Sequence, residues 1–211
     1  MWIFDIIQLA IILAVSIWMH EYAHAYVSYR LWDPTPKLQG RLTPNPLKHI
    51  DPIWFIMVFV AHFWRGKPVQ INPLYYKNPR KGELMVALAG PATNLVLAIV
   101  GILVMVLYAK IGGGTPNDIF LNTNDLMISF RISFSYLNIA LAIFNLIPIA
   151  PLDGYRLIKI RWHRWAEWME MNSRFGIVFV IALVYFGSSI FAQVSTSIFN
   201  FLFTIIGQVF Y

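Results

Sequence analysis

The sequence of 211 residues contains no cysteine and few charged side chains, which make up only 12% of the chain. The absence of cysteine excludes disulfide bonds and thiolate metal ligands, so a bound metal must use His, Asp or Glu. Soluble domains carry about twice this share of charged residues. Because 58% of the residues are hydrophobic, the composition predicts an integral membrane protein.

The chain has a formal net charge of +6 at pH 7. Such a charge can indicate nucleic-acid binding, but the basic residues cluster beside apolar runs, as is typical of cytoplasmic loops next to anionic lipid. We therefore expect a lipid bilayer, and no nucleic acid, among the partners. The first apolar run has no basic leader and no small-residue cleavage site, so we do not interpret it as a removable signal peptide.

This first apolar run, Ile3–Tyr29, carries the pattern H-E-x-x-H at His20, Glu21 and His24. On a helix, residues four positions apart share a face, so both imidazoles can bind one metal ion. The Glu21 carboxylate can take a proton from a metal-bound water without being a ligand itself. A chance occurrence is the alternative, but charged side chains in a membrane helix cost about 2.5–3.5 kcal/mol each. The pattern therefore predicts a metal site.

Residues 30–83 form a polar section rich in proline, which prevents a continuous helix. Short extended pieces are expected at Lys37–Leu42 and Lys67–Asn72. Within the section, Pro52–Trp64 is apolar but shorter than the roughly 20 residues that cross a bilayer. We interpret it as a re-entrant or interfacial piece, with a tilted crossing as the alternative.

Further membrane spans are predicted at Leu84–Tyr108 and Ile132–Ile149, and 175–211 is long enough for one span or two short ones. Two prolines interrupt the chain after the third span, and Asp153 follows them at membrane depth. Irregular backbone at that depth is tolerated only inside protein or beside a water-filled cavity. Asp153 is therefore a candidate functional residue.

These spans predict an all-α polytopic membrane protein with about four to six transmembrane helices. A short β-strand or re-entrant element is expected between the first and second core spans. We expect a single membrane-embedded domain over residues 1–211, with a core at 15–155 and carboxy-terminal spans within 175–211.

The distribution of basic residues predicts the orientation of the spans, because cytoplasmic loops carry an excess of Lys and Arg. Section 30–83 has nine basic residues, loop 109–131 has two, and section 154–174 has five. The amino terminus is then outside the cell membrane, and the first and third spans both run toward the cytoplasm. This orientation places His24 and Asp153 at a similar depth near the cytoplasmic side, so we predict that they belong to one site.

Two His and one Asp leave a fourth coordination position open for water, as in a catalytic zinc site. Zinc lowers the pKa of its water toward about 7 and polarises a carbonyl oxygen. Glu21 would act as the general base and then pass the proton to the leaving amine. The expected reaction is hydrolysis of a peptide bond in a transmembrane helix that first unwinds locally. A short edge strand near Lys67–Asn72 is expected to hold the unwound segment.

The ordered set of motifs resembles the site-2 protease family of intramembrane zinc metalloproteases, in a compact form without a PDZ domain. The strongest matches are His20–His24, Ala89–Asn94 and Asn145–Gly154 with its Pro-Leu-Asp-Gly. The resemblance implies that His20, His24 and Asp153 bind Zn²⁺ and that Glu21 is the catalytic base. It also implies that Asn94 and Asn145 line the site, where they hold the substrate or stabilise the oxyanion. It assigns no role to His49.

Other classes of membrane protein are alternatives. A di-iron desaturase or hydroxylase needs many histidines, and this chain has five. A zinc transporter or sensor needs no base beside the ligands, so Glu21 argues against it. An inactive homologue that only binds transmembrane segments is a further alternative, which the intact Glu21 disfavours.

Overall fold

The computed structural model describes residues 2–49, 69–115, 126–159, 162–171 and 173–211. In these ranges the regular secondary structure is helical. The α-helices are α1 Trp2–Arg30, α2 Thr35–Leu38, α3 Pro79–Ile111, α4 Leu126–Asn145, α5 Gly154–Lys159, α6 His163–Met171 and α7 Ser173–Phe210, and short 3-10 turns lie at Pro46–Lys48 and Pro73–Tyr75.

Within the described ranges, four helices are long and apolar enough to cross a membrane, judged by length and composition. They comprise Ile3–Arg30, Pro79–Ile111, Leu126–Asn145 and Tyr185–Phe210. For the described residues, the prediction of an all-α polytopic membrane protein is therefore confirmed, with four of the expected four to six spans found there. The carboxy-terminal section forms one continuous helix with one candidate span, so two short spans do not occur there.

The apolar core lies where α3, α4 and α7 meet. Its buried side chains are Ala98, Ile102, Met105, Val106, Ile128, Ile139, Phe199 and Phe203. Gly101 allows α3 to approach α4 closely, because a Cβ atom at this position would lie 2.3 Å from Ser135 Oγ. Small residues at such contacts are typical of helix packing in membranes.

The expected short β element is wrong for the part of section 30–83 that the structure describes. Lys37 and Leu38 lie in α2, because Pro36 in its first turn favours a helix start. Residues 69–72 form no strand. The backbone N–H of Asn72 donates to the Asp33 carboxylate at 2.7 Å instead of pairing with another strand. The predicted re-entrant piece Pro52–Trp64 lies outside the described residues.

Candidate metal centre

The predicted ligands meet at one point. Asp153 Oδ2 lies 3.0 Å from His20 Nε2 and 3.1 Å from His24 Nε2, and the two Nε2 atoms are 3.0 Å apart. Among the described residues, these three form a group that can hold a metal ion. Both histidines are buried, and Asp153 is partly buried. Residues 129 positions apart in the sequence are thus brought together as predicted.

Helix α3 forms the wall behind the two histidines. His20 lies next to Asn94, and His24 lies next to Val86, so α1 and α3 run in opposite directions. Gly90 lies between these two contacts. A Cβ atom there would lie 2.5 Å from the Nε2 atoms of both His20 and His24, and the side chain would displace the imidazoles. Glycine is therefore required at position 90 for the two rings to converge.

The hydrogen-bond partner of His24 Nδ1 determines which ring nitrogen carries the proton. His24 Nδ1 lies 2.7 Å from the backbone carbonyl oxygen of Val86, which can only accept a hydrogen bond. Nδ1 must therefore carry the proton. In the neutral ring, Nε2 then presents its lone pair toward Asp153 and is free to bind a metal.

His20 has a similar arrangement, with a side chain in place of the backbone carbonyl. Its Nδ1 lies 2.5 Å from Asn94 Oδ1, which also accepts. Two imidazole lone pairs and one carboxylate oxygen therefore converge within about 3 Å of one another. Without a cation these three acceptors would repel. Two imidazoles and one carboxylate match the donor set of catalytic zinc sites, so the residues fit this metal.

Asp153 reaches the histidines through a tight turn between α4 and α5. A Cβ atom at Gly154 would lie 2.3 Å from the Leu146 carbonyl oxygen and 2.4 Å from that of Ile147. Only glycine allows this close approach, which turns the chain back toward the end of α4. The Asp-Gly pair of the motif thus combines a ligand with the residue that permits the turn.

Glu21 lies beside the ligands and outside the group they form. Its Oε2 atom accepts a hydrogen bond from the backbone N–H of Val69 at 3.3 Å. A half-buried carboxylate next to a metal ligand, with one oxygen held by the backbone, is suited to proton transfer.

Asp33 anchors the segment that contacts Glu21. Its fully buried carboxylate accepts hydrogen bonds from Ser28 Oγ, from the N–H of Thr35 and from the N–H of Asn72, at 2.8, 2.9 and 2.7 Å. Burial alone would raise the pKa of Asp33, but these hydrogen bonds hold it below its usual value. The carboxylate thus joins the end of α1 to residues 69–72.

The two predicted substrate-contacting asparagines lie in different surroundings. Asn94 is fully buried between His20 and α4. Asn145 is the last residue of α4, half-buried, and its amide donates to the Leu141 carbonyl of its own helix at 3.0 Å. Contact of either residue with a substrate stays a prediction.

His49 lies apart from the ligands. It is fully buried, its Nε2 donates to the Thr43 carbonyl at 3.1 Å, and its ring lies edge-on to Tyr22. Burial, and to a lesser extent the charge of Arg41, lowers the pKa of His49. In the described part of the chain it is therefore a neutral packing residue.

Sequence reasoning missed two polar residues behind the metal centre, Ser16 and Asn138. Both are fully buried, and Asn138 Nδ2 donates to Ser16 Oγ at 2.9 Å. A signal existed for each. Ser16 lies four residues before His20 and hence on the same helix face, and Asn138 is an amide in the middle of a mostly apolar helix.

Several proteins are similar to the chain in amino-acid sequence. It is 42% identical over 151 residues to "Putative zinc metalloprotease YwhC" of Bacillus subtilis, covering 72% of this chain and 67% of that protein. It is 28% identical over 151 residues to "Putative zinc metalloprotease Rip2" of Mycolicibacterium smegmatis, covering 69% of this chain and 53% of Rip2. The archaeal "Zinc metalloprotease MJ0392" of Methanocaldococcus jannaschii is also 28% identical, with 72% of this chain and 33% of that protein covered.

The matched region spans two thirds of YwhC but only about half of Rip2. No family model and no solved structure matches the chain. All three relatives are named for zinc, which is also the metal that fits the donors His20, His24 and Asp153.

Proposed function

Because the chain belongs to the zinc metalloprotease family of YwhC, consistent with its site-2 protease-like motifs, we propose that it hydrolyses peptide bonds within or next to transmembrane helices. The substrate class is a membrane protein whose helix enters the site from the bilayer. The site residues are His20, His24 and Asp153 as zinc ligands and Glu21 as catalytic base.

One observation carries this proposal: the ligand cluster is built from candidate membrane spans. His20 and His24 lie within the span Ile3–Arg30, and Asp153 follows the span Leu126–Asn145 closely. A scissile bond must therefore come to the depth of these helices to meet the metal. Soluble peptides would have to leave water to do so, whereas a transmembrane helix already occupies that depth.

The chain supplies the binding and proton-transfer groups of the reaction. When bound, zinc supplies Lewis-acid chemistry that activates water and polarises the scissile carbonyl. The Val69 N–H holds Oε2 of Glu21, so Oε1 accepts the proton from the attacking water. Glu21 then donates this proton to the leaving amine nitrogen as the C–N bond breaks.

We place the substrate next to the end of α4. Asn145 ends this helix and precedes the turn that carries Asp153, so its side chain is suited to contact substrate backbone exposed by unwinding. Asn94 is closed off by His20 and Asn138 on its two sides, which favours a role behind the ligands. The positive-inside distribution of basic residues supports an active site toward the cytoplasmic side of the cell membrane.

The test is cleavage of a reporter protein with one transmembrane helix by the full chain purified in detergent. The wild type is expected to cut within or next to the helix, as mapped by mass spectrometry. Glu21→Gln is expected to lose at least about 100-fold in rate while it still binds zinc. Asp5→Asn, at the other end of α1, is the matched control and should keep wild-type activity.

A reporter with its helix replaced by a soluble linker should not be cut. Equal cleavage of both reporters would sink the proposed substrate class. Stoichiometric zinc in the wild type without cleavage of any reporter would favour the alternative of a membrane protein that binds zinc without proteolysis.

A further inference from the structure

Asn138 is a fully buried amide in the middle of α4, where the surrounding side chains are mostly apolar. None of its hydrogen bonds is to a metal ligand. Its Nδ2 lies 2.9 Å from the Phe134 carbonyl oxygen and 2.9 Å from Ser16 Oγ, and its Oδ1 lies 2.8 Å from Asn94 Nδ2. Every polar atom of the Asn138 side chain is thus engaged.

The orientation of this amide is set by the backbone. The Phe134 carbonyl can only accept a hydrogen bond, so the atom of Asn138 that faces it must be the NH₂ group. The Asn138 oxygen then faces Asn94. Because an oxygen can only accept, Asn94 must turn its own NH₂ group toward Asn138.

The orientation of Asn94 in turn determines where His20 carries its proton. With its NH₂ group toward Asn138, Asn94 presents its oxygen to His20 Nδ1 at 2.5 Å. Nδ1 must then be the protonated nitrogen, and Nε2 keeps its lone pair for the metal. A chain of three forced hydrogen bonds therefore runs from the Phe134 carbonyl to Nδ1 of His20, and it leaves Nε2 as the nitrogen that can bind the metal.

We infer that Asn138 is a positioning residue that fixes, through Asn94, the His20 tautomer able to bind zinc. The inference rests on the zinc site of the proposed function. His24 needs no such arrangement, because the Val86 carbonyl fixes its proton directly.

Loss of Asn138 would remove the main restraint on the Asn94 amide. A weak one remains, since Asn94 Nδ2 lies 3.5 Å from the Ser16 carbonyl. If the amide flips, its NH₂ group faces His20 Nδ1 and requires a lone pair there. The proton then moves to Nε2, which can no longer bind the metal.

The test measures zinc affinity of the full chain in detergent by competition with a chelator, with no substrate present. Asn138→Leu keeps the approximate volume and removes the amide. Its zinc dissociation constant is expected to rise about 10- to 100-fold, as for other residues that orient metal-binding histidines. Asn200→Leu is the matched control, because it makes the same change at an exposed position of α7. It should stay within about threefold of wild type.

Asn138→Asp tests whether zinc affinity depends on the orientation of the Asn94 amide or on the packing around position 138. Its carboxylate still accepts from Asn94 Nδ2, although it repels the Phe134 carbonyl and lowers stability. Zinc affinity of this variant is therefore expected to match or exceed that of wild type. A ¹⁵N NMR spectrum of the metal-free Asn138→Leu protein, with labelled histidine, should show His20 partly protonated at Nε2.

Two results would overturn the inference: wild-type zinc affinity in Asn138→Leu, or equal losses in Asn138→Leu and Asn138→Asp. Neither result would bear on proteolysis. Failure of the wild type itself to bind zinc would instead overturn the proposed function, so the two failures are distinguishable.

Discussion

The carboxylate of Asp33 accepts a hydrogen bond from the backbone N–H of Asn72 across 39 positions of sequence, at 2.7 Å. Three residues before Asn72, the N–H of Val69 contacts Glu21. Asp33 is therefore connected to Glu21, the proposed catalytic base, without touching it. The relationship connects the stability of the polar section to the geometry of the proposed active site.

Asp33→Ala is expected to lower the free energy of unfolding, because it leaves the partly buried N–H groups of Thr35 and Asn72 without their acceptor. Each unsatisfied buried group costs about 1–3 kcal/mol. Thermal unfolding in detergent measures the loss. Asp5→Asn, at the exposed start of α1, should unfold at the wild-type temperature. A wild-type unfolding temperature for Asp33→Ala would show that the contacts of this carboxylate do not stabilise the fold.

Stability is expected to fall with acidification because of His49. Since burial lowers the pKa of this histidine in the folded protein, the unfolded chain binds a proton first, at about pH 6.5. The stabilising effect of His49 is therefore complete above about pH 6.5 and is lost as the pH falls toward the lower folded value. Unfolding of wild type and His49→Gln, compared between pH 7.5 and 5, checks this. The variant should lose less stability over that interval, and parallel profiles would contradict the prediction.

Gly90→Ala is expected to weaken zinc binding by at least about tenfold, as for other changes next to metal ligands. The added methyl group would lie 2.5 Å from both ligand nitrogens, so the imidazoles must separate. Gly112→Ala is the matched control at the end of the same helix, where the nearest atoms would lie at an ordinary 3.5 Å. Chelator competition measures both variants. Equal affinities would mean that the rings can tilt aside without cost.

The zinc contents of Asp153→Ala and Glu21→Gln should distinguish a zinc ligand from a general base. Removal of Asp153 takes away one of three donors, so bound zinc should fall clearly below one ion per chain. Glu21→Gln should keep near-stoichiometric zinc, because Glu21 lies outside the ligand group. Mass spectrometry of the purified proteins gives the metal content. Loss of zinc in both variants would make Glu21 a ligand and remove it from the role of general base.

Much of the candidate site could be predicted from sequence. The four-residue spacing of His20 and His24 indicates a shared helix face, and the charge pattern places Asp153 at a similar depth. In the structure, the Nε2 atoms of both histidines and Oδ2 of Asp153 lie within 3.1 Å of one another. These features are local or follow from membrane topology, so a single sequence carries them.

The short strands were not predictable in the same way. Proline and polar residues in section 30–83 are typical of extended pieces, but Pro36 starts a helix and Asp33 takes the N–H of Asn72. The hydrogen bond between Asp33 and Asn72 depends on how segments 39 positions apart in the sequence pack together. Asn138 illustrates the same limit, because its partner Ser16 is 122 residues away and no spacing rule connects them.

The tight turn at Gly154 has a consequence for biogenesis. The proposed third ligand follows α4 in the sequence, so a nascent chain that ends before Asp153 contains only His20 and His24 of the ligand group found among the described residues. We therefore expect a complete metal site to form only late in synthesis, when Asp153 has joined the two histidines.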